Sequence, residues 1–173
     1  GPIGLMTAKV ARLVGAGKVY LTGHAHSRQR WEIARKIGVD ELVFADQVNV
    51  REYFRTQEPD GLDRVLVTSP PSTVADAVAI ARFGAIITYN GIKFDRSKEI
   101  RFDGNDFHFK RLQLRGVHSI PNLGWPKALD LLRRKLIDPD DFISHRFAFD
   151  QVPQAVQFAA KNRTDTVKVM VVW

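Results

Sequence analysis

The chain has 173 residues, 45% hydrophobic and 26% charged, with 12 Gly, 8 Pro and no Cys. This is the composition of a globular domain, or of one domain carrying part of another, and not of a disordered, collagenous or membrane chain. The absence of cysteine excludes a disulfide, a thiolate nucleophile, an iron–sulfur cluster and a Cys-based zinc site within these residues.

The net charge is +7 and the sequence pI about 9.9. Between Lys93 and Lys135 there are 11 Lys and Arg against 5 Asp and Glu, so this stretch holds +6 of the excess. Its acids (Asp95, Glu99, Asp103, Asp106, Asp130) interrupt the basic residues, and no block of like charge forms. Nucleic acid is therefore not the expected partner. No apolar run reaches the ~18 residues of a membrane span and no basic-then-apolar leader precedes a cleavage site, so a cytoplasmic location is expected.

In chain order, Gly1-Pro2-Ile3-Gly4-Leu5 opens without methionine and without a preceding strand. Such a start reads as a fragment or an engineered chain, and Gly-Pro also fits a protease scar. Ile3 to Val14 has the helical spacing Ile3, Met6, Val10, Leu13, Val14, with Pro2 suited to the first turn and Gly15-Ala16-Gly17 to stop it. Val19 to Thr22 predicts a short strand, Arg30 to Ile37 a helix closed by Gly38, Glu41 to Phe44 a strand and Val48 to Arg55 a helix. Arg64 to Thr68 predicts a strand broken by Ser69-Pro70-Pro71. A helix over Thr73 to Arg82, capped by Ser72 or Thr73, then turns at Phe83-Gly84 into a strand from Ala85 to Tyr89. Strands alternating with amphipathic helices imply a parallel sheet covered on both faces.

Beyond Gly91 the texture changes. Lys93 to Asn105 reads as a polar loop, Phe107 to Leu112 as a short helix, Gln113 to His118 as a strand and Pro126 to Lys135 as a helix. Asp138 to Asp141 is a turn, Ser144 to Phe147 a strand, Val152 to Ala160 a helix and Val167 to Val172 a closing strand.

An α/β chain places ligands beyond the carboxyl ends of its parallel strands. Gly1-Pro2-Ile3-Gly4 leads into a helix N-terminus, where free N–H groups and the helix dipole suit a phosphate. Where the second strand of such a fold ends, an NAD site places an acid on the ribose hydroxyls. Here the segment is Thr22-Gly23-His24-Ala25-His26-Ser27-Arg28, with no acid before Glu32. Arg28, helped by Ser27, His24 or Arg30, suits a 2′-phosphate, which favours NADP over NAD; the alternative is that Arg28 and Arg30 are solvated helix residues. His24, His26, His108, His118 and His145 do not define a metal site, because no carboxylate sits at ligand spacing and no HExxH occurs. No G-x-S-x-G elbow appears either.

Together these pieces resemble the medium-chain dehydrogenase/reductase family, in its zinc-type alcohol, polyol and threonine dehydrogenase branch. Gly1 to Met6 is similar to the later part of its G-x-G-P-x-G-x fingerprint, and Arg30 to Asp40 to its R-L-E-x-A-x-x-L-G-A-D helix end. Phe83-Gly84-Ala85 to Ile92 resembles its P-G-G-x-V-V-x-x-G strand, Gln113-Leu114-Arg115-Gly116 its L-x-L-R-G strand, and Ile143 to Phe158 its I-T-H-x-F segment with the following helix.

The resemblance implies a Rossmann-type doubly wound parallel sheet lacking its first, central strand. Residues 1–136 would form the dinucleotide-binding domain, and 137–173 a C-terminal segment that returns to a GroES-like catalytic domain. Gly1, Pro2, Ile3 and Gly4 would approach the pyrophosphate, and Gly23, His24 and Arg28 would surround the adenosine ribose. Thr68 and Ser69 would lie toward the adenine. Asn90, Gly91 and Ile92 would flank the nicotinamide ribose and carboxamide, with Arg115 and Gly116 near that end, and Lys168 would reach a phosphate. Leu114 to His118 would pair across a dimer.

The implied function is the NAD(P)-binding portion of an oxidoreductase that moves a hydride between a secondary alcohol or polyol and the nicotinamide. Zinc belongs to the absent catalytic domain, and this chain alone is expected to be inactive. Rival readings are a zinc-independent quinone-oxidoreductase-like reductase acting on an activated alkene, and a non-catalytic dinucleotide-binding module.

Overall fold

The computed structural model describes every residue except 96, 97, 119, 120 and 165. Two positions of the predicted 93–105 loop thus lie outside the described residues. The chain divides into two compact units, one made of Gly1–Gln47 with Ile120–Trp173 and the other of Val48–Ser119.

In the first unit, helix α1 (Pro2–Leu13) leads to β1 (Tyr20–Gly23), α2 (Arg28–Lys36) and β2 (Glu41–Phe44). β1 and β2 pair in parallel from Tyr20↔Glu41 to Gly23↔Phe44. Leu5 and Ala8 of α1, Val19, Trp31 and Ala34 of α2, Ile37 and Val39 form the core, which Phe142 and Val167 complete from the C-terminal part. The stripe that predicted α1 is not the face it buries. Gly4, Leu5 and Ala8 are buried, whereas Ile3, Met6, Val10 and Leu13 are each more than a third exposed. Small side chains let α1 approach closely on that face, and its bulkier stripe stays partly exposed.

The turn from α1 to β1 is fastened by charge. The Val19 N–H donates to Asp40 Oδ2 at 2.7 Å, and Arg12 reaches Asp40 Oδ1 together with the carbonyls of Ala16 and Gly17, each at 3.0 Å.

The second unit holds α3 (Val50–Gln57), β3 (Leu62–Val67), α4 (Val74–Ile80), β4 (Ala81–Tyr89), α5 (Gly104–Phe109) and β5 (Gln113–Gly116). Asn49 and Asp103 cap α3 and α5 through their side-chain oxygens, as short polar residues do at helix N-termini. The three strands form one parallel ladder, β3-β4-β5. Its core is Val67, Val74, Ala77, Val78, Ala81, Ala85, Ile87 and Leu112.

The predicted helix to Arg82 ends two residues early, at Ile80, and the expected turn at Phe83-Gly84 lies inside β4. Ala81 already pairs with Leu62, and the ladder resumes only at Arg64↔Ile86, so the intervening residues bulge. Gly84, at φ +74°, permits that bulge at no steric cost and donates its N–H to the Lys110 carbonyl at 2.7 Å.

The C-terminal part of the first unit contains α6 (Pro121–Arg133), β6 (His145–Ala148), α7 (Val152–Lys161) and β7 (Val169–Val172). β6 and β7 pair in parallel. Pro126, expected to open α6, sits inside it. Every strand pairing among the described residues is parallel, as expected of an α/β fold, but the ladders are separate: β1 pairs with β2 alone and β3 with β4 alone. No described helix is long and apolar enough to cross a membrane.

Candidate functional site

In the first unit the parallel register brings the carboxyl ends of β1 and β2 level, so their following loops meet. The Ala45 N–H donates to the Gly23 carbonyl at 2.8 Å, and the Ala25 N–H donates to the Asp46 carboxylate at 3.0 and 3.2 Å. The His24 carbonyl accepts from the Ser27 N–H at 3.2 Å and the Trp31 indole N–H at 3.1 Å. Gly23 lies beneath the Trp31 ring, so close that a Cβ there would fall 2.5 Å from it. Trp31 is itself buried and meets Phe44 edge-on at 5.2 Å. The His24–Ser27 loop is thus a fixed shelf.

On that shelf His24, His26 and Asp46 stand exposed, with one ligand atom of each within 4.8 Å of the others. The Ala25 N–H, more than any other group, holds the Asp46 carboxyl below its ordinary value of 3.8, because a donated hydrogen bond favours the charged form. Asp46 was missed from the sequence. It lies twenty residues after His26, and only the pairing of β1 with β2 brings it there.

Arg28, the first residue of α2, is almost fully exposed and reaches Glu32 one turn on at 3.6 Å. Of the groups expected to help it, His24 is exposed nearby, but Ser27 is buried and Arg30 is committed. The Arg30 guanidinium donates to the Thr166 carbonyl at 3.2 and 3.4 Å and also to the Arg163 carbonyl.

Gly1, Pro2, Ile3 and Gly4 form the start of α1. Pro2 is the first helical residue, Gly1 accepts the Leu5 N–H at 3.1 Å, and no side chain caps the turn. The Ile3 and Gly4 N–H groups therefore have no partner within the helix, which is the arrangement that suits an anion. Lys168, just before β7, has an exposed side chain, while its carbonyl accepts from Ser144 N at 2.9 Å and Ser144 Oγ at 3.1 Å.

In the second unit Thr68-Ser69 follow β3 and Asn90-Gly91-Ile92 follow β4, side by side because Val67 pairs with Tyr89. The Asn90 N–H donates to the Val67 carbonyl at 3.1 Å. Gly91 packs so tightly on this crossing that a Cβ would lie 1.9 Å from the Ser69 carbonyl oxygen, and only glycine fits. The Asn90 Oδ1 is buried and has no hydrogen-bond donor among the described residues. An orphaned acceptor at a strand end fits a polar ligand, such as a sugar hydroxyl, that supplies the missing donor. Ser69 Oγ is 2.6 Å from Thr73 Oγ1, which in turn donates to the Pro70 carbonyl at 2.9 Å. Arg115, in β5 opposite Thr88, donates to Gln113 Oε1 at 2.6 Å.

Parallel strand–helix units with polar groups gathered at the strand carboxyl ends define a Rossmann-like α/β fold. The zinc-binding dehydrogenase family matches residues 2–134, and the chain belongs to that family. An L-threonine 3-dehydrogenase of Burkholderia ambifaria is 30% identical over 176 residues, covering 100% of this chain and 49% of that protein. An Escherichia coli CFT073 short chain alcohol dehydrogenase, solved with NADH, superposes over 100% of this chain and 50% of its own at TM-score 0.88 and 23% identity. A Sinorhizobium meliloti protein solved bound to NADP covers 100% and 50% at TM-score 0.86 and 26% identity. The chain spans about half the length of the curated relatives it matches.

Proposed function

We propose that this chain is the dinucleotide-binding portion of an NAD(P)-dependent alcohol or polyol dehydrogenase. The match of residues 2–134 to the zinc-binding dehydrogenases carries the reading. In it, the α1 N-terminus formed by Gly1 to Gly4 holds the pyrophosphate, and Gly23, His24 and Arg28 hold the adenosine ribose. Thr68 and Ser69 lie toward the adenine, and Lys168 reaches a phosphate. Asn90, Gly91, Ile92 and Arg115 serve the nicotinamide end. Residues 1–136 are the dinucleotide-binding domain and 137–173 the segment toward a catalytic domain.

When bound, the nicotinamide supplies hydride chemistry, and these residues hold and orient it. The zinc that polarises the alcohol oxygen is assigned to the catalytic domain of the longer enzyme, as are the substrate pocket and the proton relay. Pairing through Leu114 to His118 makes the enzyme a dimer, working in the cytoplasm.

The preference for NADP rests on Arg28. Its guanidinium is exposed and, among the described residues, held only by a long contact to Glu32, so a 2′-phosphate competes easily for it, whereas no acid of this loop is placed to take a ribose hydroxyl. Calorimetric titration of NADP and NAD into the chain and into Arg28→Ala tests this. The substitution is expected to weaken NADP roughly tenfold, about 1.4 kcal/mol, and to leave NAD unchanged. Equal effects on both, or none on either, would remove the 2′-phosphate assignment.

A further inference from the structure

We infer that His24, His26 and Asp46 form a binding site for a divalent transition cation of the zinc, cobalt and nickel class. Three observations combine. The two imidazoles and the carboxylate each offer a ligand atom, and these atoms already lie within 4.8 Å of one another. Around a metal at ~2.1 Å the ligand atoms stand about 3–3.5 Å apart, so closure needs only small side-chain rotations. The donor set suits borderline cations, since two imidazoles select against calcium and magnesium while the carboxylate adds charge.

The backbone beneath these side chains is fixed before any ion arrives. The Ala25 N–H holds Asp46, the Ala45 N–H ties its loop to the Gly23 carbonyl, and the His24 carbonyl accepts hydrogen bonds from the Ser27 N–H and the Trp31 indole N–H. The Ala25 N–H is shared between both Asp46 oxygens, and because a carboxylate offers about four acceptor sites, each oxygen keeps one for a ligand. The imidazoles stand edge to face with centroids 5.5 Å apart, so neither stacks flat on the other. Both are exposed, and an ion can enter directly from solvent.

With three protein donors the remaining coordination positions stay open to water or to an anionic oxygen. The site does not depend on the dinucleotide reading, although His24 belongs to both, and its test is run with no dinucleotide present.

Zinc is titrated into the full 173-residue chain against a chromophoric chelator, and cobalt uptake is followed by its visible d–d absorption. One cation per chain is expected, with a cobalt spectrum of low-symmetry nitrogen and oxygen ligation. His26→Asn and Asp46→Asn are each expected to weaken zinc by at least the roughly 10–100-fold that loss of even an outer partner costs. Asp46→Asn retains an oxygen for the Ala25 N–H, so the shelf still folds, and His108→Asn, in α5, is expected to bind as the parent does. No saturable zinc uptake, or zinc affinities of the His26 and Asp46 variants within about twofold of the parent, would overturn the assignment.

Discussion

Gly91 shows how tightly one residue can be specified by its neighbours. Its missing side chain leaves room for the Ser69 carbonyl, which a Cβ would meet at 1.9 Å. The contact is backbone, so no rotamer change relieves it, and Gly91→Ala must displace one strand end. That costs about 1–3 kcal/mol of overpacking, a fall in Tm of several degrees at about 2–4 °C per kcal/mol for a chain of this size. Gly104→Ala is the matched control, because its Cβ would meet nothing within 4 Å. Scanning calorimetry on both variants checks the difference; equal melting temperatures would mean that the crossing at Ser69 yields without strain. The glycine was legible in the sequence as part of Asn90-Gly91-Ile92, but its reason was not. Nothing in one strand says which carbonyl of the next will lie across it. Asp46 is the same case at the first unit's loops. Its partners His24 and His26 were visible as a pair, while the carboxylate that completes the group enters only through the parallel register of β1 and β2.

At the scale of elements, the alternation of helices and strands was readable because each has its own hydrophobic period, 3.6 or 2. Boundaries failed where those periods overlap. The run Thr73 to Arg82 is Ala-rich and helical in pattern, yet Ala81 is drawn into the ladder by Leu62, and the helix stops at Ile80. Pro126 fails differently. Proline suits a first turn, but here it stands one turn in, where it has no N–H to donate to the Asn122 carbonyl in the opening turn of α6. Contacts between elements were not readable either. Lys36, at the end of α2, pairs with Asp141 of the 3-10 turn Pro139–Asp141 at 2.5 Å. That bond to Asp141 is the largest cause raising the Lys36 ammonium above its ordinary 10.5. A raised folded value means that the lysine favours the folded state fully below 10.5 and loses that contribution as pH rises through the folded value. Comparing the thermal unfolding of the parent with Lys36→Met from neutral to strongly alkaline pH should show a small gap that narrows as pH rises. The gap stays small because the lysine is largely exposed. A gap constant with pH would mean that the ammonium's charge contributes nothing.

Over the whole molecule, charge is the feature most easily misread. A net +7 suggests a polyanion partner, but affinity for nucleic acid needs several cations aligned on successive phosphates. Within the basic stretch the structure pairs its ions locally instead. Lys93 faces Asp95 at 3.8 Å, Arg101 faces Glu99 at 2.8 Å, Lys110 faces Asp106 at 3.1 Å and Arg134 faces Asp130 at 3.5 Å. The pairs of Lys93, Arg101 and Arg134 contribute little to stability, being largely exposed, yet all four place an acid where a phosphate would have to sit. Other cations of the stretch are engaged sideways: Arg111 lies over the Phe83 ring at 5.6 Å and Arg115 donates to Gln113. A phosphate approaching any one of these pairs meets both signs, and the counterion release expected from it is correspondingly small. Fluorescence anisotropy of labelled duplex and single-stranded DNA at about 0.15 M salt should therefore show no saturation below about 10⁻⁴ M protein, the weak end of non-specific binding. Saturation at micromolar protein, weakening steeply between low and moderate salt, would show instead that the excess charge forms a continuous track despite its interleaved acids.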